Sequence, residues 1–158
     1  MRSFITHHNP ATMKNLIFNT SETMSPLILR GVLGIVVFVH GAQKLLGWFG
    51  GYGFEGTMSY FTGDVGLPWI VGLLVILLET IGSLALVVGL GTRLVAAAFT
   101  MLAFGILMTV HLQNGFFMNW SNNQNGEGYE YFLLWLAISI ALIISGAGRL
   151  SVDRKIAA

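Results

Sequence analysis

Six of the ionisable side chains that lie within or at the ends of apolar stretches of this chain have types and spacing that decide what chemistry they could do. Three share one run, Arg30–Lys44 (RGVLGIVVFVHGAQK). It opens on a guanidinium, closes on an ammonium and carries an imidazole, His40, one turn before its end. Glu79 lies within a second run, His111 at the end of a third, and Glu130 at the start of a fourth. In a bilayer each such group needs a partner or a route to the surface, so an intramembrane ionisable residue is a functional candidate by default. Grouped in a low-dielectric pocket, acids and bases of this kind can hydrogen-bond a ligand's oxygens or relay protons.

Composition says that the solvent is lipid. Of 158 residues, 54% are hydrophobic and only 9% charged, against about 25% charged in soluble domains. The formal net charge of +1 and the lack of any basic block exclude a nucleic-acid partner. There is no cysteine, hence no disulfide framework, thiolate metal site or thiol–disulfide exchange by the chain itself. The first 24 residues are polar and lack an apolar signal core, so targeting rests on the membrane spans. Met1 and Met13 are both admissible starts, and His7-His8 in this tail carries no functional reading.

Four apolar stretches are long enough to cross roughly 30 Å of hydrocarbon, which takes about 20 helical residues. They run over about 26–49, 68–90, 93–112 and 129–147, the first two opening on Pro26 and Pro68. None alternates as a strand, and the predicted fold is an all-α polytopic membrane protein, an antiparallel four-transmembrane-helix bundle at 25–155. The tight turn Gly89–Thr92 makes the second and third helices neighbours. Two longer connections, near 47–67 and 113–128, are rich in glycine and aromatics, as a membrane interface favours. They fall on the same side, since two spans separate them. Arg2, Lys14, Arg93, Arg149, Arg154 and Lys155 lie in the termini or the short turn, whereas the aromatic loops contain no Lys or Arg. The positive-inside rule places both termini in the cytoplasm.

Taking Arg30, Arg93 and Arg149 as markers of the inner boundary and 1.5 Å per residue, Lys44 and Glu79 each lie about 21 Å above it. His40 falls at about 15 Å, His111 at about 27 Å and Glu130 at about 28 Å. Two pairs therefore match in depth, Lys44 with Glu79 and His111 with Glu130, with His40 just beneath the first. Helical spacing places Arg30, Gly34, Val37, Gly41 and Lys44 on one face, and Gly72, Glu79, Gly82, Ser83 and Leu86 on another. The third helix offers Thr100, Phe104, Met108 and His111; the fourth offers Glu130, Leu134, Ala137 and Ala141. Small residues on the first two faces allow close approach.

Blander readings stand beside these. Arg30 can snorkel to lipid phosphates, and a Lys44–Glu79 pair can serve only to fix helix register. Insertion does not explain Glu79: its cost of about 2.5–3.5 kcal/mol is outweighed by more than a dozen surrounding Leu, Ile and Val. Only pairing or use does. Haem held by His40 and His111 is disfavoured by their depth difference of about 12 Å. No carboxylate–histidine spacing supports a metal site. Phe54–Phe61 reads either as a short interfacial helix lidding the bundle or as an aromatic anchor.

Arg30, His40-Gly41, Lys44, Glu79, Gly82, Gly89, Thr92-Arg93, His111, Gly115, Gly128-Tyr129-Glu130-Tyr131 and Gly146-Ala147-Gly148 through Ser151-Val152-Asp153 together resemble the DoxX family, over residues 25–155. The resemblance implies a four-helix protein of the bacterial cytoplasmic membrane with a redox association. The related DoxD is a subunit of a thiosulfate:quinone oxidoreductase, and other members are tied to quinone, catechol or thiol stress. The resulting expectation is a redox-linked subunit holding a quinone-like ligand in the outer half of the bundle. Glu79, His40 and Lys44 would act on it, and His111, Glu130 and Arg30 would bind it. A partner redox subunit would carry the electrons. A small-solute or proton transporter, and a non-catalytic assembly partner, are the competing readings.

Overall fold

A computed structural model describes residues 17–158; the tail residues Met1, Arg2, His7, His8, Met13 and Lys14 lie outside that range. Among the described residues every regular element is helical. The first helix, α1 (Ser25–Leu46), starts with a proline in its first turn and stops at Gly47, whose left-handed backbone donates to the Ala42 carbonyl. A short helix, α2 (Gly53–Ser59), follows and widens into a π-helical turn at Tyr60–Asp64. Next come α3 (Trp69–Val88) and α4 (Thr92–Asn114), each continuous but interrupted by a π-helical turn, at Leu78–Gly82 and Leu107–His111 respectively. The chain closes with α5 (Glu130–Ser145) and the short α6 (Val152–Ala157).

Three of these, α1, α3 and α4, are long and apolar enough to cross a membrane; α5 is apolar but has only 16 residues. The expected fourth span is therefore a helix of about 24 Å at 1.5 Å per residue, with the flanking residues outside it. It still runs the length of α4 in the opposite sense. Its first turn meets the far end of α4, where the His111 and Phe132 rings lie 4.5 Å apart. Its last turn meets the near end of α4, where Arg93 donates to the Ile143 and Ile144 carbonyls at 2.7 and 3.1 Å. Both aromatic loops consequently sit at one end of the molecule and Arg30, Arg93 and Arg149 at the other, as the connections imply.

The core is built from two kinds of contact. Between α1 and α3 it is backbone against backbone. A methyl group on Gly34 would stand 2.9 Å from the Ser83 carbonyl oxygen, and one on Gly41 would stand 2.5 Å from the Glu79 carbonyl. Between α4 and α5 it is aromatic, with the Phe99 and Trp135 rings edge-on at 5.7 Å and Phe132 stacked on Trp135 at 6.0 Å. Leu33, Val37, Leu86, Ala96, Ala103 and Leu142 fill the centre. The outside is as apolar as the inside: Ile35, Leu74, Ile81, Leu94, Met101, Phe104 and Ile144 are all exposed. A contiguous apolar surface of this kind is a lipid-facing surface.

Two predicted faces are wrong for identifiable reasons. On α4, Phe104 and Met108 are exposed, and the buried set is Ala96, Phe99, Ala103 and Leu107. Counting back from His111 in steps of 3.6 misses this face, because the π-helical turn at 107–111 inserts one residue and rotates everything before it by about 100°. On α5 the buried set is Phe132, Trp135, Ser139 and Leu142, while Leu134 is exposed. The face counted from Glu130 fails because that carboxylate turns back toward the loop and marks no interior position.

At the Arg-bearing end the chain knots together. Gly89 and Gly91 hold the tight α3–α4 turn in left-handed conformations. A side chain at Gly89 would also meet Ser151 at 2.6 Å and the Arg30 guanidinium at 3.0 Å, so only glycine fits on both counts. Asp153 caps α4, its two oxygens accepting from the Gly91 and Thr92 amides at 2.6 and 2.8 Å.

Candidate functional site

Lys44 and Glu79 form the ion pair expected of them, with Nζ 2.6 Å from Oε2. Glu79 keeps only 3% of its side-chain exposure and Lys44 25%, so the carboxylate is interior and the ammonium stands at the boundary. The ruler placed both Cα atoms level, but the structure sets Glu79 beside Gly41, one turn nearer the Arg-bearing end. Lys44 spans the offset because side chains on a helix lean toward its N-terminus, here down toward Glu79.

The carboxylate is held by a local departure from α-helix. In the π-helical turn at Leu78–Gly82 the Ser83 hydroxyl donates to the Glu79 carbonyl at 2.6 Å and lies 2.8 Å from that of Thr80. The Thr80 hydroxyl donates to Ile76 at 2.7 Å. These hydroxyls donate to main-chain carbonyls in and beside the widened turn and brace it. Gly41 lets α1 lie directly on that turn. Two glycine-scale contacts and two hydroxyls thus place one buried carboxylate.

Above the pair, toward the aromatic end, a cavity of about 260 Å³ is lined by Gln43, Lys44, Gly50, Gly51, Tyr52, Thr57, Tyr60 and Phe61. Its cover is α2 with its π-helical turn, so Phe54–Phe61 is helical for most of its length and packs over the bundle. Thr57 and Met58 are buried, and Met58 and Phe61 close on Gly72 of α3. Gln43 fastens the preceding loop by donating to the Phe49 carbonyl at 3.3 Å.

The other expected residues go elsewhere. His40 is exposed on the outside of α1 and does not line the cavity. It is one residue, or about 100°, round the helix from the Gly41 contact. His111 and Glu130 come close in depth but do not pair. The His111 Nδ1 meets the Glu127 carbonyl at 2.7 Å, while Glu130 accepts from the Met118 amide at 2.9 Å and the Trp120 indole at 3.4 Å. Both groups stitch the second aromatic loop, whose local turns a helix ruler cannot foresee.

Arg30 does not snorkel. It is 1% exposed, and its guanidinium donates to the carbonyls of Ala147 (3.0 Å), Leu86 (3.4 Å), Val87, Arg149 (3.4 Å) and Leu150 (2.7 Å). With its donors committed to main chain, it is a cross-link between α1, the end of α3 and the segment after α5. One residue outside the expected site set is notable: Tyr131 on α5 has a buried hydroxyl without a partner among the described residues. Its helical offset from the interior residue Trp135 could have flagged it. Among the described residues no three His, Asp or Glu side chains converge.

With every described regular element helical, three of them apolar and of bilayer length, and a buried ion pair between two of those, this is a polytopic membrane protein. The DoxX family model matches residues 25–112, and the chain belongs to the DoxX family. It is 33% identical, over 85% of its own length and 89% of the relative's, to the Bacillus subtilis (strain 168) protein named "Putative oxidoreductase CatD". It is 23% identical, over 91% and 99%, to the "Inner membrane protein YphA" of Escherichia coli (strain K12). No solved structure matches it.

Proposed function

We propose that this protein binds a quinone or quinol headgroup in the cavity above the Lys44–Glu79 pair, as the membrane subunit of a redox system. The observation that carries the reading is an aromatic-walled cavity lined by the Lys44 ammonium, whose ion-pair partner is the buried Glu79 carboxylate. A volume of about 260 Å³ suits a single ring rather than a drug-sized ligand. Tyr52, Tyr60 and Phe61 supply faces for that ring, and Lys44 has donors to spare for a ring oxygen. Lys44 passes one proton of a bound quinol to Glu79, and the second leaves to water at the open mouth of the cavity. Oxidation of a quinol to a quinone releases two protons and two electrons; the electrons pass to the redox centre of a partner subunit. The resemblance to the relative named "Putative oxidoreductase CatD" supports a redox role.

In the same reading α5 is the fourth crossing, extended by the segments flanking it, and the protein resides in the bacterial inner membrane. Arg93, Arg149, Arg154 and Lys155 set the Arg-bearing end and both termini in the cytoplasm. The test is titration of the protein, reconstituted in nanodiscs, with a short-chain quinone. Saturable binding that is lost in Lys44→Ala and weakened in Glu79→Gln is the expected result. Absence of saturable binding, or equal binding by the variants, overturns the proposal.

A further inference from the structure

A second hollow lies at the opposite end of the molecule. It measures about 430 Å³ and is lined by Arg149, Leu150, Ser151, Arg154, Lys155 and Ala158. We infer that it binds a phosphate-bearing anion, and that the anion is the headgroup of an acidic phospholipid. The site is independent of the quinone reading.

The charge around it is unbalanced in a specific way. Three cationic side chains line the hollow, and the two side-chain carboxylates near it are already committed. Asp153 is buried and gives both oxygens to the α4 amides. Glu22 takes only one guanidinium nitrogen of Arg154, at 2.6 Å. The other, Nη1, is buried with no partner among the described residues. Arg149 and Lys155 carry no ion pair among the described residues, so their charges are what an anion in the hollow would meet. The Ser151 hydroxyl, by contrast, is spent on the Gly148 carbonyl at 2.8 Å and on capping α6. The three cations are what the hollow offers.

The fold builds this arrangement through Arg30. Its bond to the Leu150 carbonyl pulls that residue inward by its main chain, in a left-handed conformation (φ 54°) that is unusual for leucine. The Leu150 side chain is thereby turned outward and is 76% exposed. Ile156, on α6, is 37% exposed. Exposed aliphatic groups flanking a basic hollow match a headgroup whose acyl chains continue into the bilayer, and they give a soluble phosphate nothing to use.

The experiment uses the full chain purified in mild detergent, with native mass spectrometry against phosphatidylglycerol, phosphatidylcholine or inorganic phosphate. Its partner is the variant Arg149→Gln/Lys155→Gln, whose two side chains are exposed and anchor nothing in the fold. One phosphatidylglycerol per chain should be retained in preference to phosphatidylcholine. The variant should lose that preference about 30-fold, roughly fivefold for each surface charge. The inference is overturned by equal retention of both lipids, by an unchanged preference in the variant, or by a broad distribution of lipid numbers. Inorganic phosphate that displaces the lipid at the same concentration would assign the hollow to a soluble anion instead, overturning the phospholipid.

Discussion

Arg30 and Lys44 are two cations on one stripe of one helix, and they solve the problem of burial differently. Arg30 is wholly interior and bonded to main-chain carbonyls from two distant parts of the chain. Lys44 keeps a quarter of its exposure and is bonded to a single side chain under an open cavity. A guanidinium saturated by carbonyls has no donor left for anything else, and those carbonyls cannot be removed by mutation. An ammonium with one carboxylate partner has donors to spare, and its partner is replaceable. The first arrangement is joinery; the second can take a ligand.

Substitutions can break this contrast. The largest effect is expected from Arg30→Met, which strands several buried carbonyls at about 1–3 kcal/mol each. The variant should not be recovered as a monodisperse species by size-exclusion chromatography. Lys44→Ala leaves the Glu79 carboxylate buried and alone, which costs about 3–5 kcal/mol for a charged partner. The loss would be read as a lowered melting temperature in detergent. Gly41→Ala forces a methyl against the Glu79 main chain and should cost about 1–3 kcal/mol, with quinone binding reduced because the π-helical turn must shift.

The double substitution Lys44→Met/Glu79→Leu sharpens the contrast most, because removing both charges together can be neutral for stability. Its melting temperature should stay near that of the unaltered protein while quinone binding disappears. If stability collapses instead, the pair is joinery like Arg30. Smallest of all, His40→Leu, at an exposed position on α1, should change stability by no more than about 0.5 kcal/mol and leave quinone binding intact.

The two ends also differ in how far the sequence reveals them. Lys44 and Glu79 are opposite charges in two apolar runs at comparable depth, so their partnership could be read from residue types and the helical rise. Arg30 has partners that are main-chain atoms, and a carbonyl is present at every position, so residue types cannot mark which ones it meets. His111 and Glu130 fail for a related reason: their partners, the Glu127 carbonyl and the Met118 amide, belong to a folded loop. The existence of the helices was plain from hydropathy. Their phase was not, because the inserted residue at Leu107–His111 has no signature in a stretch that is apolar on every side. Where glycine marked the contact, as at Gly34 and Gly41, the buried face was legible. Where bulky aromatics filled it, as at Phe99 and Trp135, it was not.

The Arg30 clamp also orders events during synthesis. Its bond to Ala147 joins residues 117 positions apart. At about 5–20 residues per second, the ribosome needs roughly 6–23 s to supply that acceptor after Arg30 has emerged. Throughout this interval the first helix carries a guanidinium that nothing in its own segment can satisfy. The bundle can close around it only when the final turns of the chain arrive. A nascent chain interrupted before Ala147 would leave that charge with only the Leu86 and Val87 carbonyls to cover it.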